Sequence, residues 1–177
     1  MDTISTILLN LKESCSEVRQ SKTLRLEDWV PPPFDSLKFN VDGSARGTPG
    51  PAGIGGVLRD YTGRLLCTFS NHIGIQDANT AEILAIARAC ELCVSRPELK
   101  DRDIAIVSDS KVAVSWVNND EIGSLKHLQV IYDIRNLMRR LGSVSVSYSA
   151  RAANFVADSL AKKGSDSGEV LLTWSNI

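Results

Sequence analysis

Leu37, Phe39 and Val41 alternate with Lys38, Asn40 and Asp42, the period-2 pattern of a strand with one buried face. Gly43 and Ser44 follow at once, so Asp42 is an acid mounted at a strand end beside bare backbone. Gly43 to Gly56 is rich in Gly, Pro, Ala and Ser and is expected to be a flexible turn region. The runs Gly55 to Asp60 and Arg64 to Ser70 flank Tyr61-Thr62-Gly63, which predicts a hairpin and a three-stranded antiparallel meander. Asn79-Thr80 introduces a long helix from Ala78 to Ser95, with Ile83, Leu84, Ala87 and Leu92 as its apolar face. Pro97 ends it. Asp103 to Ser108 reads as a buried strand leading into Asp109, and Ser110 to Asn118 as a helix carrying Val112, Val114 and Trp116. A further helix covers Leu125 to Leu141 and stops at Gly142. Ser143 to Tyr148 alternates as a fifth strand, and Asn154 to Lys163 is a final helix closed by Gly164.

Ahead of this series, Ile4, Ile7, Leu8 and Leu11 stand at helical spacing and predict a short amphipathic helix. Trp29-Val30-Pro31-Pro32-Pro33 is a stiff extended spacer that cannot join a helix. The chain therefore divides into an N-terminal helix and linker over 1–33, a domain over 34–165 and a polar tail over 166–177. Three strands, helix, strand, helices, strand, helix is an α/β order. It implies one mixed sheet, antiparallel at one edge and parallel where helices cross over.

At 177 residues with 43% hydrophobic positions, the chain has material for one ordinary core. A net charge of -1 gives no global positive field, so a nucleic-acid partner must be met by a local patch or by bound cations. Cys90 and Cys93 form one C-x-x-C pair inside the long helical pattern, with no second pair to complete a zinc site. Together with Cys15 and Cys67 they read as ordinary buried thiols in a reducing compartment. No apolar run approaches the roughly 20 residues of a membrane span. The N-terminus carries Asp2, Glu13 and Glu17 and lacks a basic region ahead of an apolar one, so no signal peptide is expected. The expected location is intracellular, nucleus or cytoplasm, and not secreted.

Four acids fall at element ends. Asp42 ends the first strand, Glu82 lies in the first turn of the long helix, Asp109 terminates the fourth strand, and Asp158 sits within the last helix. If the first and fourth strands are parallel neighbours, Asp42 and Asp109 emerge at the same edge. Helices packed across the sheet can then deliver Glu82 and Asp158 to that spot. Clustered carboxylates repel one another and resist desolvation unless cations neutralise them. Oxygen-only ligands favour Mg²⁺ or Mn²⁺ over Zn²⁺. Two such ions about 3.5–4 Å apart are an arrangement that cleaves phosphodiesters.

The segments Lys38-Phe39-Asn40-Val41-Asp42-Gly43-Ser44, Thr80-Ala81-Glu82, Val107-Ser108-Asp109-Ser110 and Asn154 to Ala161 resemble ribonuclease H type 1. More closely, they resemble the plant ribonuclease H-like domains found at the end of retrotransposon reverse transcriptases and as stand-alone proteins. The Trp29 to Pro33 lead-in is similar too. The resemblance covers Trp29 to Gly164. It implies a ribonuclease H-like fold, a five-stranded mixed sheet with strands 1–3 antiparallel and strands 4 and 5 parallel to strand 1, flanked by helices. It implies Asp42, Glu82, Asp109 and Asp158 as ligands of two Mg²⁺ ions, with Mn²⁺ able to substitute. The implied activity is endonucleolytic cleavage of the RNA strand of an RNA–DNA hybrid, leaving 5′-phosphate and 3′-hydroxyl ends. Gly43, Ser44, Asn79, Asn154 and Arg151 are the implied substrate contacts, with helix capping as the plainer role for Asn79 and Asn154. The expected form is a monomer or a part of a longer reverse transcriptase polyprotein, with an RNA–DNA hybrid as partner and no membrane.

Two departures shape the expectation. Many relatives carry a His in the loop before the last helix, where Tyr148 stands here, and a tyrosine with a pKa near 10 is a poor proton shuttle. His72 and His127 lie elsewhere. The stretch Asn118 to Lys126 is short and acidic, where some relatives have a basic, Trp-containing protrusion. Lys111, Lys126, Arg151, Lys162 and Lys163 are the cations left for phosphates, a modest set. The alternative reading is therefore a catalytically weak or inactive ribonuclease H-like module that binds nucleic acid or a protein partner.

Overall fold

A computed structural model describes residues 29–119 and 125–176. The predicted N-terminal helix and the tip of the acidic loop lie outside the described residues. The strands are β1 (Leu37–Ala45), β2 (Gly50–Asp60), β3 (Leu65–Gln76), β4 (Ile104–Ser108), β5 (Val144–Tyr148) and β6 (Leu171–Trp174). The helices are α1 (Ala78–Val94), α2 (Lys111–Asn118), α3 (Leu128–Leu141) and α4 (Phe155–Ser167). They build one six-stranded mixed sheet in the order β5-β4-β1-β2-β3-β6. β1, β2 and β3 form the antiparallel meander, and β4 and β5 run parallel to β1.

The sixth strand corrects the five-stranded expectation. Leu171 to Trp174, assigned to a polar tail, pairs antiparallel with β3, Cys67 opposite Trp174. The Arg96 guanidinium lies 4.3 Å from the Trp174 ring centroid, and the indole packs against the core.

Directly paired residues share a sheet face, so the register sorts the side chains. Gly43 pairs with Ile54 on the face that α1 covers, whereas Asp42 and Ser44 pair with Gly55 and Gly53 on the face that α4 covers. On the α1 face, Leu37, Phe39 and Val41 meet Phe69, Ile83, Ile86, Ile106 and Ile134 in the core. Phe39 and Phe69 meet edge to face, centroids 5.8 Å apart. α1 has the sheet on one side and α3 on another, which is why Ala85, Ile86, Ala89, Cys90 and Cys93 are buried besides the predicted apolar positions. The Cys67, Cys90 and Cys93 thiols are buried and free, and burial holds each above its ordinary pKa.

Two boundaries moved for one reason. The Gly-rich stretch 43–56 is strand for most of its length, with the turn confined to 46–49, and Gly164 lies inside α4, which runs on to a left-handed cap at Gly168. A Cβ at Gly53 or Gly55 would overlap the α4 backbone, and one at Gly164 would press on Asn71 of β3. These glycines bring helix and sheet into backbone contact and end neither element. Trp29 is also part of the folded unit. The charged ends of Lys38 and Arg59 lie 5.6 and 5.0 Å from its ring centroid.

Candidate active site

β1 and β4 are in parallel register with Val41 opposite Ser108, so the next residues, Asp42 and Asp109, stand side by side where β4 ends. β1 continues three residues past Asp42 while β4 stops at Ser108, and this opens a notch beside Asp42. Glu82, the fifth residue of α1 and not in its first turn, enters from above because Gly43 has no side chain. A Cβ at Gly43 would overlap the backbone of Ala81 and Glu82. The Gly43 N–H instead donates to the Glu82 carboxylate. Carboxylate oxygens of Asp42, Glu82 and Asp109 then lie within 4.8 Å of one another.

Asp158 stands one step outside this trio. It acts electrostatically on Asp42, and Lys162, one turn further along α4, donates to it at 2.6 Å. Arg151 caps the other flank, its Nε 3.3 Å from Asp109 while most of its side chain is in solvent.

The electrostatics of the trio are unfavourable without a cation. Burial, then the charges of Glu82, Asp109 and Asp158, push Asp42 up to about 10. Burial and Asp109 push Glu82 up to about 8, against hydrogen bonds from Gly43 and Ser108 that favour its ionised form. The Arg151 guanidinium is raised in turn by Asp109. With Asp42 raised this far, the cation-free site keeps a proton on Asp42 at neutral pH. Three carboxylates with no nitrogen or sulfur donor among them suit a hard divalent ion, which would displace that proton.

The other expected contacts divide. Ser44 is half-buried two residues past Asp42, and Asn79 is exposed on α1, three residues ahead of Glu82 and on the same side of the helix. Asn79 is not the helix cap that its position suggested. Asp77 holds that place, accepting from the Thr80 N–H at 2.8 Å, and the Lys126 ammonium keeps its carboxyl well below the usual range. Asn154 is 1% exposed, so it does not face a substrate groove. It stands at the N-cap position of α4 without making a side-chain cap bond. Its Nδ2 donates to the Val41 carbonyl at 2.8 Å, and its Oδ1 accepts from Asn40 at 3.2 Å. Tyr148 is exposed near the same rim, with the Lys111 ammonium 5.0 Å from its ring centroid.

Some supporting residues carry no mark that the sequence makes legible. Ser108 Oγ bonds Glu82 at 3.4 Å and receives the Ser110 N–H at 3.1 Å. His127, buried and stacked on Trp116 with centroids 4.9 Å apart, shares a hydrogen bond with Thr80 at 2.9 Å. With the 2.6 Å Lys126–Asp77 pair, this fastens the start of α3 to the start of α1. Such contacts join residues 47 and 49 apart in sequence, and only the outer Asp–Lys pair has a charge pattern to suggest it.

An antiparallel meander extended by parallel β4 and β5, with acids from β1, α1 and β4 converging at one notch, defines a ribonuclease H-like domain. The model of the family described as reverse transcriptase-like matches residues 40–164. The chain belongs to that family. It is 33% identical over 148 residues to an Arabidopsis thaliana protein provisionally named a ribonuclease H, which spans 81% of this chain and 23% of that protein. It is 30% identical over 130 residues to ribonuclease HI of Halobacterium salinarum, covering 71% of this chain and 62% of the relative. The chain thus spans less than two thirds of the length of either curated relative. The structure of LC11-RNase H1 in complex with an RNA/DNA hybrid superposes with a TM-score of 0.69 at 30% identity, over 74% of this chain and 97% of that one.

Proposed function

We propose that this domain is a divalent-metal-dependent endonuclease that hydrolyses the RNA strand of RNA–DNA hybrids. The observation that carries the reading is the meeting of Asp42, Glu82 and Asp109 within 4.8 Å where β4 ends beside β1. Their chemistry suits two Mg²⁺ ions, with Mn²⁺ as a substitute, and Asp158 contributes from α4. When bound, such a pair supplies Lewis acidity, making hydroxide available at neutral pH and neutralising charge on a departing oxygen. The water oxygen bonds to phosphorus, the P–O3′ bond breaks, and the products carry a 5′-phosphate and a 3′-hydroxyl.

The chain's own residues supply position. Gly43 and Ser108 hydrogen-bond Glu82 and hold it over the notch. Arg151 balances Asp109 and is exposed enough to swing onto a phosphate. Ser44 and Asn79 line the rim where the RNA strand would lie, and its 2′-hydroxyl is the group that separates it from DNA. Tyr148 at the place of the relatives' His favours slow turnover, and a module that binds without cutting is the second reading.

The test is a hybrid labelled on each strand in turn, incubated with Mg²⁺ or Mn²⁺. The RNA strand is expected to be cut to 5′-phosphate ends with the DNA strand intact, and Asp109→Asn to lose more than about a hundredfold in rate. Parent and Asp109→Asn equally inert while both bind the hybrid would establish the module reading instead.

A further inference from the structure

The matched family region begins at residue 40, yet Trp29 reaches into the site's framework from outside it. Trp29 Nε1 donates to Asn40 Oδ1 at 2.9 Å, Asn40 Nδ2 donates to Asn154 Oδ1 at 3.2 Å, and Asn154 Nδ2 donates to the Val41 carbonyl at 2.8 Å. Both asparagines are buried, 2% and 1% exposed, so neither amide has water as an alternative partner.

The order of donors gives the chain a direction. An indole nitrogen only donates, and a backbone carbonyl only accepts. With Trp29 in place, the Asn40 oxygen must face the indole and its NH₂ must face Asn154. That in turn fixes the Asn154 oxygen toward Asn40 and its NH₂ toward Val41. Remove the one N–H and Asn40 is free to flip. Its oxygen would then meet the Asn154 oxygen, which in turn must rotate and drop Val41 to recover a donor.

The last two links of this relay lie beside the acids. Val41 precedes Asp42 on β1, and Asn154, at the N-cap position of α4, is one helical turn ahead of Asp158. The relay is therefore a tie between the strand that carries Asp42 and the helix that carries Asp158.

We infer that Trp29 is a positioning residue of the metal site, setting through Asn40 and Asn154 the distance between Asp158 and the Asp42–Glu82–Asp109 trio. This rests on the metal-site reading above and extends the working unit to a residue ahead of the matched region.

The test is calorimetric titration of the whole chain with Mn²⁺, without substrate. Trp29→Phe keeps an aromatic ring near Lys38 and Arg59 and removes the N–H together with the rest of the five-membered ring. It is expected to weaken Mn²⁺ binding by about tenfold, the scale of losses when outer partners of metal ligands are removed. In an Asp158→Asn background the same change is expected to add nothing, because its effect passes through Asp158. Trp29→Phe that lowers the melting temperature but binds Mn²⁺ like the parent would overturn the inference, as would losses that add to those of Asp158→Asn. A parent that binds no Mn²⁺ at all would instead sink the metal-site reading, and the relay's purpose with it.

Discussion

At Asp42 the site trades stability for chemistry. Its pKa is about 10 in the fold, against an ordinary value of 3.8, so the folded chain holds a proton that the unfolded chain has released above pH 4. Stability from this group is complete below pH 4 and is lost as pH rises toward 10, by at most about 1.4 kcal/mol per pH unit. Glu82, raised to about 8, adds a loss of the same sign between its ordinary 4.5 and 8. Thermal melts in EDTA are expected to drop by at least about 5 °C between pH 5 and pH 8. Asp42→Asn should flatten much of that slope, and Mg²⁺ should restore the parent at the higher pH. A parent slope no steeper than that of Asp42→Asn would contradict the electrostatic account. Gly43→Ala belongs to the same scale. Its methyl would push α1 and Glu82 away from the notch, so a loss of roughly 2 kcal/mol or more in denaturant unfolding is expected, together with cleavage.

At the scale of elements, the strands and helices of the sheet's centre were legible because period and punctuation agreed. The Leu37 to Asp42 alternation, the hairpin at Tyr61-Thr62-Gly63 and the Gly142 stop each pointed to one structure. Three features were not legible, for reasons of packing. Gly164 looked like a helix stop, but the contact with Asn71 is invisible along the chain. The Gly-rich stretch after Asp42 looked like a loop, but most of it is paired strand, and its Gly53 and Gly55 let α4 come close. Leu171 to Trp174 is too short to announce a strand until β3 offers an edge. A chain ending at Gly168 should melt about 5 °C lower, the worth of half-burying one indole and two leucines. Cleavage should stay within about threefold of the full chain, because β6 lies three strands from β1. A larger loss of activity at matched folding would give β6 a part in the site.

Across the whole molecule, the acids were legible singly as strand and helix residues and jointly through their order. Their fine geometry was not. Asp158 is held by Lys162 and by a relay from Trp29, and Asn154 turned inward; both depend on which side chains meet across the sheet. With a net charge of -1 and with Lys126, Lys162 and Arg151 already paired to carboxylates, hybrid affinity is expected to be modest. The logarithm of the binding constant should fall with that of salt at a slope of about -2 to -4, and a slope beyond about -5 would mean further cationic contacts.

The most direct measurement is the rate of cleavage of a labelled RNA–DNA hybrid as Mg²⁺ is titrated into the EDTA-treated protein. The account predicts no cleavage without the ion, saturating cleavage of the RNA strand with it, and at least about a hundredfold less from Asp42→Asn at every concentration. Cleavage that persists in EDTA, or that Asp42→Asn performs as well as the parent, would contradict it.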